Sequence, residues 1–229
     1  MKNWTVDDVM TTKVVSVDQG ASYRSVVDTL IQNRVSAVPV VDPFLRVTGV
    51  VSEADLLRKI EYAGDETPRM FEGRRRRGER GKALARTAAD LMSAPAVTVL
   101  NGTSIGAAAR RMDTEGVKRL PVINELGRLV GIVTRGDLLK VHLRPDEDIR
   151  ADIESGVLHG PLAGRADEVT VAVEDGAVTL SGKVEVRSTG YEAVRLARQV
   201  AGVAAVTDEV SFEVDDRFSY SPGTAYGAV

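Results

Sequence analysis

The chain runs to 229 residues, 43% hydrophobic and 28% charged, with a formal net charge of −3, enough apolar material to fill two or three small cores. Without cysteine there can be no disulfide, thiol nucleophile or thiolate metal site, and the two histidines, His142 and His159, have no partner at metal-ligand spacing. Apolar runs stay far short of the roughly 20 residues that cross a bilayer, and the opening MKNWTVDDVM puts acids where an export signal needs an apolar stretch, so a cytoplasmic location is expected.

Charge is distributed unevenly. Residues 1–59 are balanced, residues 60–88 carry a net +3, residues 89–143 a net +2 and residues 144–229 a net −8, with sixteen acids against eight bases. A basic joint and an acidic last third result.

The first half of the chain is a duplication. Val6 to Lys59 lie over Ala88 to Val141 at a constant offset of 82 without a gap, matching Asp8 to Asp90, Met10 to Met92, Pro39 to Pro121, Gly49 to Gly131 and Asp55-Leu56-Leu57 to Asp137-Leu138-Leu139. Each copy reads as strand, helix, strand, strand, helix. In the first, Val14 to Val17 is a β-rich run, and Ser22 caps a helix carrying Tyr23, Val26, Val27, Leu30 and Ile31 at helical spacing. Strands over Ala37 to Val41 and Val47 to Ser52 flank an Asp-Pro turn, and a helix opens after Ser52 with Leu56, Leu57 and Ile60 expected on its inner face. The second copy repeats this with Ile105, Ala108, Ala109 and Met112, then LPVI and LVGIV, then Leu138, Leu139 and Val141. Sheets this small expose an apolar face that only a neighbour covers, so the copies should pack together.

Between the copies, Arg74 to Arg77 stand among glycines. Such a run reads as a solvated segment, with a phosphate clamp or a contact to nucleic acid or the acidic region as functional alternatives. The lack of interleaved aromatics disfavours nucleic-acid recognition. Beyond residue 144 the pattern becomes helix, strand, strand, helix, strand: Ile149, Ile153 and Val157 at helical spacing, two alternating runs around Asp175-Gly176, a helix from Tyr191 to Val200, and a final strand. The expected divisions are a first repeat over 1–60, a basic linker over 61–87, a second repeat over 88–143, a distinct unit over 144–214 and a disordered tail over 215–229.

VSAVPVVD, VTGVVSEADLL, GVKRLPVIN and LVGIVTRGDLL, in this order and register, resemble paired cystathionine β-synthase (CBS) domains, the Bateman module. The resemblance implies an α/β (α+β) fold of two packed βαββα repeats. It also implies a regulatory ligand, either an adenosine nucleotide (AMP, ADP or ATP) or S-adenosylmethionine, with no required cofactor, and a homodimer formed through the CBS pairs. The motifs Ser52–Asp55 and Thr134–Asp137 suit such a ligand chemically: a carboxylate accepts both ribose hydroxyls, and the start of a helix favours a phosphate. A hydroxyl residue followed three positions later by an acid is equally a capping box. By the resemblance, the Asp137 site draws Thr134, Ile132, Lys118 and Arg119 from the second repeat and Met10, Val15, Val35, Ser36 and Ala37 from the first. The reciprocal site uses Ser52, Asp55 and Val50 with Met92, Val97 and Val117. Because Ser36 and Ala37 stand where the other copy has Lys118 and Arg119, this second site is expected to be weaker, lacking charge-assisted phosphate bonds worth about 1.5–3 kcal/mol each.

VEDGAVTLSGKVEVRSTGYEAVRLARQVAGVAAVTDEV resembles the BON domain, a small αββαβ unit often associated with phospholipid surfaces. Here the net charge of −8 disfavours anionic lipid, which leaves protein interaction as the expected role. No nucleophile–base pair, metal constellation or GxxxxGK loop is present, so the chain is expected to be a non-catalytic sensor acting on a separate protein effector. The alternative is a ligand-independent dimeric interaction or stress-protection scaffold, peripheral to a membrane through the last unit.

Overall fold

The computed structural model describes residues 3–61 and 85–218, so the Arg74 to Arg77 run and the end of the tail lie outside the described residues. The chain divides into two units, Thr5–Leu138 and Leu139–Val229, the latter including Trp4. Among the described residues no helix is long and apolar enough to cross a membrane.

In the first unit the duplication extends to hydrogen-bond register. β1 (Val17–Asp18) runs parallel to β2 (Ala37–Val41), which pairs antiparallel with β3 (Val47–Ser52); β4 (Val99–Leu100), β5 (Arg119–Ile123) and β6 (Leu129–Thr134) repeat the arrangement. Pro39 sits opposite Val50 as Pro121 sits opposite Ile132, and the register slips at Val40/Val41 and again at Val122/Ile123. Helices α1 (Tyr23–Asn33) and α4 (Ile105–Thr114) are capped by Ser22 and Ser104, whose hydroxyls accept from the amides of Ser25 and Ala107. Helices α2 (Glu53–Glu61) and α5 (Arg135–Leu139) follow the last strand of each repeat directly.

The repeats exchange their leading segments. The amide of Val6 donates to the Thr103 carbonyl, and Thr11 and Ile132 exchange backbone bonds of 2.9 and 3.0 Å. Reciprocally, the short helix α3 (Ala88–Leu91) buries Ala88 and Leu91 in the first repeat's core, and Ser93 and Val50 exchange bonds of 2.9 and 3.1 Å. Met10 therefore lies on Gly131 and Met92 on Gly49, each so close that a Cβ on the glycine would overlap the methionine side chain. This exchange also explains why the first strand is Val17–Asp18 rather than Val14 to Val17: the chain ahead of it is held by the other repeat.

The inner-face expectation for α2 needs correction. Leu56 is buried, but Leu57 and Ile60 are 60% and 70% exposed. Leu138 and Leu139 divide the same way, and Ile31 on α1 is 70% exposed. A short helix lying on a three-stranded sheet buries one narrow stripe, so apolar residues adjacent to that stripe face outward.

The second unit has the expected order: α6 (Asp146–Ile153) with a π-helical turn over Glu154–Leu158, β7 (Val169–Glu174), β8 (Ala177–Val186), α7 (Arg187–Ala197) and β9 (Ala205–Val214). β8 pairs antiparallel with β7 and parallel with β9. Ile149, Ile153, Val157, Leu158 and Leu162 pack on Val178, Leu180 and Val184 from β8 and on Ala193, Val194 and Ala197 from α7. The hairpin turns on Asp175 and Gly176, with φ of 50° and 75°, and the Asp146 carboxylate accepts from both of their amides at 2.8 and 2.9 Å. The Arg144 guanidinium lies 5.4 Å from the Trp4 ring and donates to Asp152 at 2.8 Å.

Replacing Gly131 by Ala forces Met10 out of its seat and should cost about 1–3 kcal/mol in urea unfolding. Gly20→Ala, at a site with nothing within 4 Å, should change stability by less than about 0.5 kcal/mol.

Candidate functional site

Each repeat ends its last strand at a hydroxyl residue and begins a helix at the next. The amide and hydroxyl of Ser52 both donate to Asp55 Oδ2, at 2.9 and 2.7 Å, and those of Thr134 donate to Asp137 Oδ2 at the same distances. In the second motif the amide of Asp137 also donates to Thr134 Oγ1 at 3.2 Å, which completes a reciprocal cap. The capping reading is thus realised in full in the second copy and, through the Asp55 side chain, in part in the first. It does not exclude ligand binding, since a carboxylate offers about four acceptor positions. Asp55 is 6% exposed and Asp137 is half-buried.

The exchanged segments wall a cavity of about 430 Å³ around the first motif. The first repeat contributes Ser36, Ala37, Val50 and Ser52 to Asp55. The second contributes Ser93, Pro95, Ala96 and Val97 ahead of β4, and Gly116 to Arg119 at the start of β5. The bridge between Val50 and Ser93 brings the Ser93 segment across. Small and apolar side chains at Ala37, Val50, Ala96, Val97 and Val117 offer a face for a flat ring, while Ser52 and Lys118 offer polar contacts.

The two cations, assigned by the sequence to the second motif, line the cavity of the first. Their backbone does adjoin the second motif, as Arg119 sits opposite Thr134 and the amide of Arg135 donates to the Lys118 carbonyl at 3.2 Å. Both residues nevertheless line the cavity of Asp55, and Arg119 Nη2 donates to Ser36 Oγ of the other repeat at 2.6 Å. The expectation that the Asp55 cavity lacks cations is therefore corrected. The reason is geometric: the starts of β2 and β5 lie at the seam between the repeats, where a long side chain anchored beside one motif reaches the other. Burial lowers the Arg119 pKa from its ordinary value, and the neighbouring Glu53 carboxylate opposes that shift.

The remaining predicted residues divide into two groups. Val50, Val97 and Val117 join Ser52 and Asp55 on the cavity wall, together with Ser36 and Ala37. Met92 instead packs on Gly49 and the first repeat's core, Val15 and Val35 pack against that same core, and Met10 packs on Gly131. Ile132 is half-buried beside Thr11. Glu53, Ser93, Pro95, Ala96 and Gly116 were not singled out from sequence, although the offset of 82 places Ser93 to Val97 opposite Thr11 to Val15 and so marked that stretch. His142 and His159 are exposed, and among the described residues no group of three or more metal-ligating side chains could hold a metal ion.

The family model for the CBS domain matches residues 6–62 and 88–144, and that for the BON domain matches residues 145–213. The chain is a tandem pair of CBS domains followed by a BON domain. Its CBS pair is similar to the chloroplastic CBS domain-containing proteins CBSX2 and CBSX1 of Arabidopsis thaliana. CBSX2 is 29% identical over 62% of this chain and 64% of its own length, and CBSX1 is 28% identical over 62% and 65%. The chain thus spans less than two thirds of these curated relatives. A crystal structure of CBSX2 in complex with AMP superposes with a TM-score of 0.54 and 30% identity, covering 61% of this chain and 97% of that one. A homoserine O-acetyltransferase of Methanococcoides burtonii is 27% identical over 58% of this chain but only 23% of its own length.

Because Asp55 caps α2, Asp55→Ala should lower stability by about 1 kcal/mol even without ligand, as measured by urea unfolding.

Proposed function

We propose that the chain is a non-catalytic regulatory protein that binds an adenosine compound between its CBS repeats and relays binding to its BON domain. The observation that carries this reading is the cavity of about 430 Å³, built by both repeats, whose lining includes a buried residue, Asp55, and the cations Lys118 and Arg119. Its size falls within the range of small-molecule sites. A carboxylate for the ribose, cations for the phosphate and small apolar residues for the base make up a nucleotide's chemistry. The similarity to CBSX2, crystallised with AMP, supports the same ligand class. The Asp137 motif supplies a second, pseudo-symmetric position.

Connectivity supports the relay. Asp137 lies in α5, and that helix runs to Leu139, where the chain passes into the BON unit. A ligand that favours one placement of α5 biases the segment leading into that unit. The acidic BON unit then presents its surface to a protein effector in the cytoplasm.

Calorimetric titration of AMP, ADP, ATP and S-adenosylmethionine should give saturable binding to the unsubstituted protein, weakened at least tenfold by Asp55→Asn. Failure of all four compounds to bind rejects the reading.

The exposed apolar residues Ile31, Leu57 and Ile60 support a second reading, a homodimeric scaffold whose CBS pair is an interface and needs no ligand. Leu57→Glu should convert a dimer to a monomer in sedimentation velocity. Dimerisation without any thermal shift from adenosine compounds would favour the scaffold over the sensor.

A further inference from the structure

The two helix-start motifs differ most in charge at their second residue. The first repeat reads Ser52-Glu53-Ala54-Asp55 and the second Thr134-Arg135-Gly136-Asp137, so an acid stands where the other copy has a base. Glu53 is on the wall of the Asp55 cavity, exposed to the solvent side, and its carboxylate acts on the Arg119 guanidinium. Among the described residues lining that cavity, the cations are Lys118 and Arg119 and the acids are Glu53 and Asp55, which leaves the wall formally neutral.

We propose that Glu53 limits the phosphate count of the ligand, so that the Asp55 cavity takes an adenosine monophosphate and discriminates against the di- and triphosphate. The inference rests on the nucleotide reading above. One phosphate group can be met by Lys118 and by Arg119, which is already held toward the cavity through its bond to Ser36 Oγ. Each additional phosphate brings further negative charge to a wall whose cations are committed and whose outer acid is Glu53. Like charges brought together in a partly desolvated cleft disfavour binding, whereas Asp55 is matched to uncharged ribose hydroxyls and exerts no such selection. Arg135 at the equivalent place in the second motif has the opposite sign, so the rule applies to one motif only.

The test is calorimetric titration of AMP, ADP and ATP, each without magnesium, against the full chain carrying Asp137→Ala, so that the Asp55 cavity is read alone, with circular dichroism as the folding control. AMP should bind at least tenfold more tightly than ATP. Glu53→Gln should raise ATP affinity about tenfold while changing AMP affinity less than threefold, Glu53→Arg should raise it further, and Glu53→Asp should keep the original preference. An AMP-to-ATP ratio unchanged by Glu53→Gln, or a preference for ATP before substitution, overturns the role of Glu53 and leaves nucleotide binding intact. Binding of none of the three to this protein or to the chain without substitutions overturns both.

Discussion

The exchange of leading segments between the repeats is the constraint on which the rest of the CBS unit depends. Each copy sends its first turn and the following extended stretch onto the other, seating Met10 on Gly131 and Met92 on Gly49. The glycines permit an approach no other residue allows, and the methionines fill the irregular space left between strand and helix. The first repeat's core is completed from outside it: Ala88 and Leu91 of the second copy, with Ala85 just ahead of that copy, are buried among Val26, Leu30 and Val38. The same exchange makes the cavity, because it lays Ser93 to Val97 along the β3 end of the opposite repeat. Fold and cavity are consequences of one packing event.

That arrangement sets polar helix starts along the seam between the repeats. The Ser52–Asp55 and Thr134–Asp137 pairs close their helix starts, and the first also lines the cavity, so groups needed for local structure are held in position beside it. Preorganisation of this kind reduces the ordering cost of binding. Arg119 is held likewise, through Ser36 of the other repeat, and its partial burial strengthens its interaction with an anion relative to a solvated side chain.

The BON unit is built on a separate logic. Its core is continuous from α6 through β8 to α7, and its hairpin is fixed by a carboxylate, Asp146, that reaches back from the start of the unit. Its outer strand β9 is exposed along most of its length and carries Asp208, Glu209 and Glu213. Charges along an open edge discourage uncontrolled strand pairing. The acidity of this unit therefore has a structural use.

Much of this was legible in the chain itself. The offset of 82, the Ser22 and Ser104 caps, the Asp-Pro and Asp-Gly turns and the alternation around Val178 and Leu180 are local patterns, and local patterns fix elements and their repetition. Which way a residue at the margin of a helix stripe faces is not local, so Leu57, Ile60 and Leu139 read as core yet lie outside. Nor could the chain alone assign Lys118 and Arg119 to a cavity, because their backbone adjoins one motif while they line the cavity of the other. Sequence determined that there are two equivalent halves with two equivalent motifs; tertiary structure decided which groups share a space, since that depends on how the halves interpenetrate and how far a flexible side chain reaches across their seam.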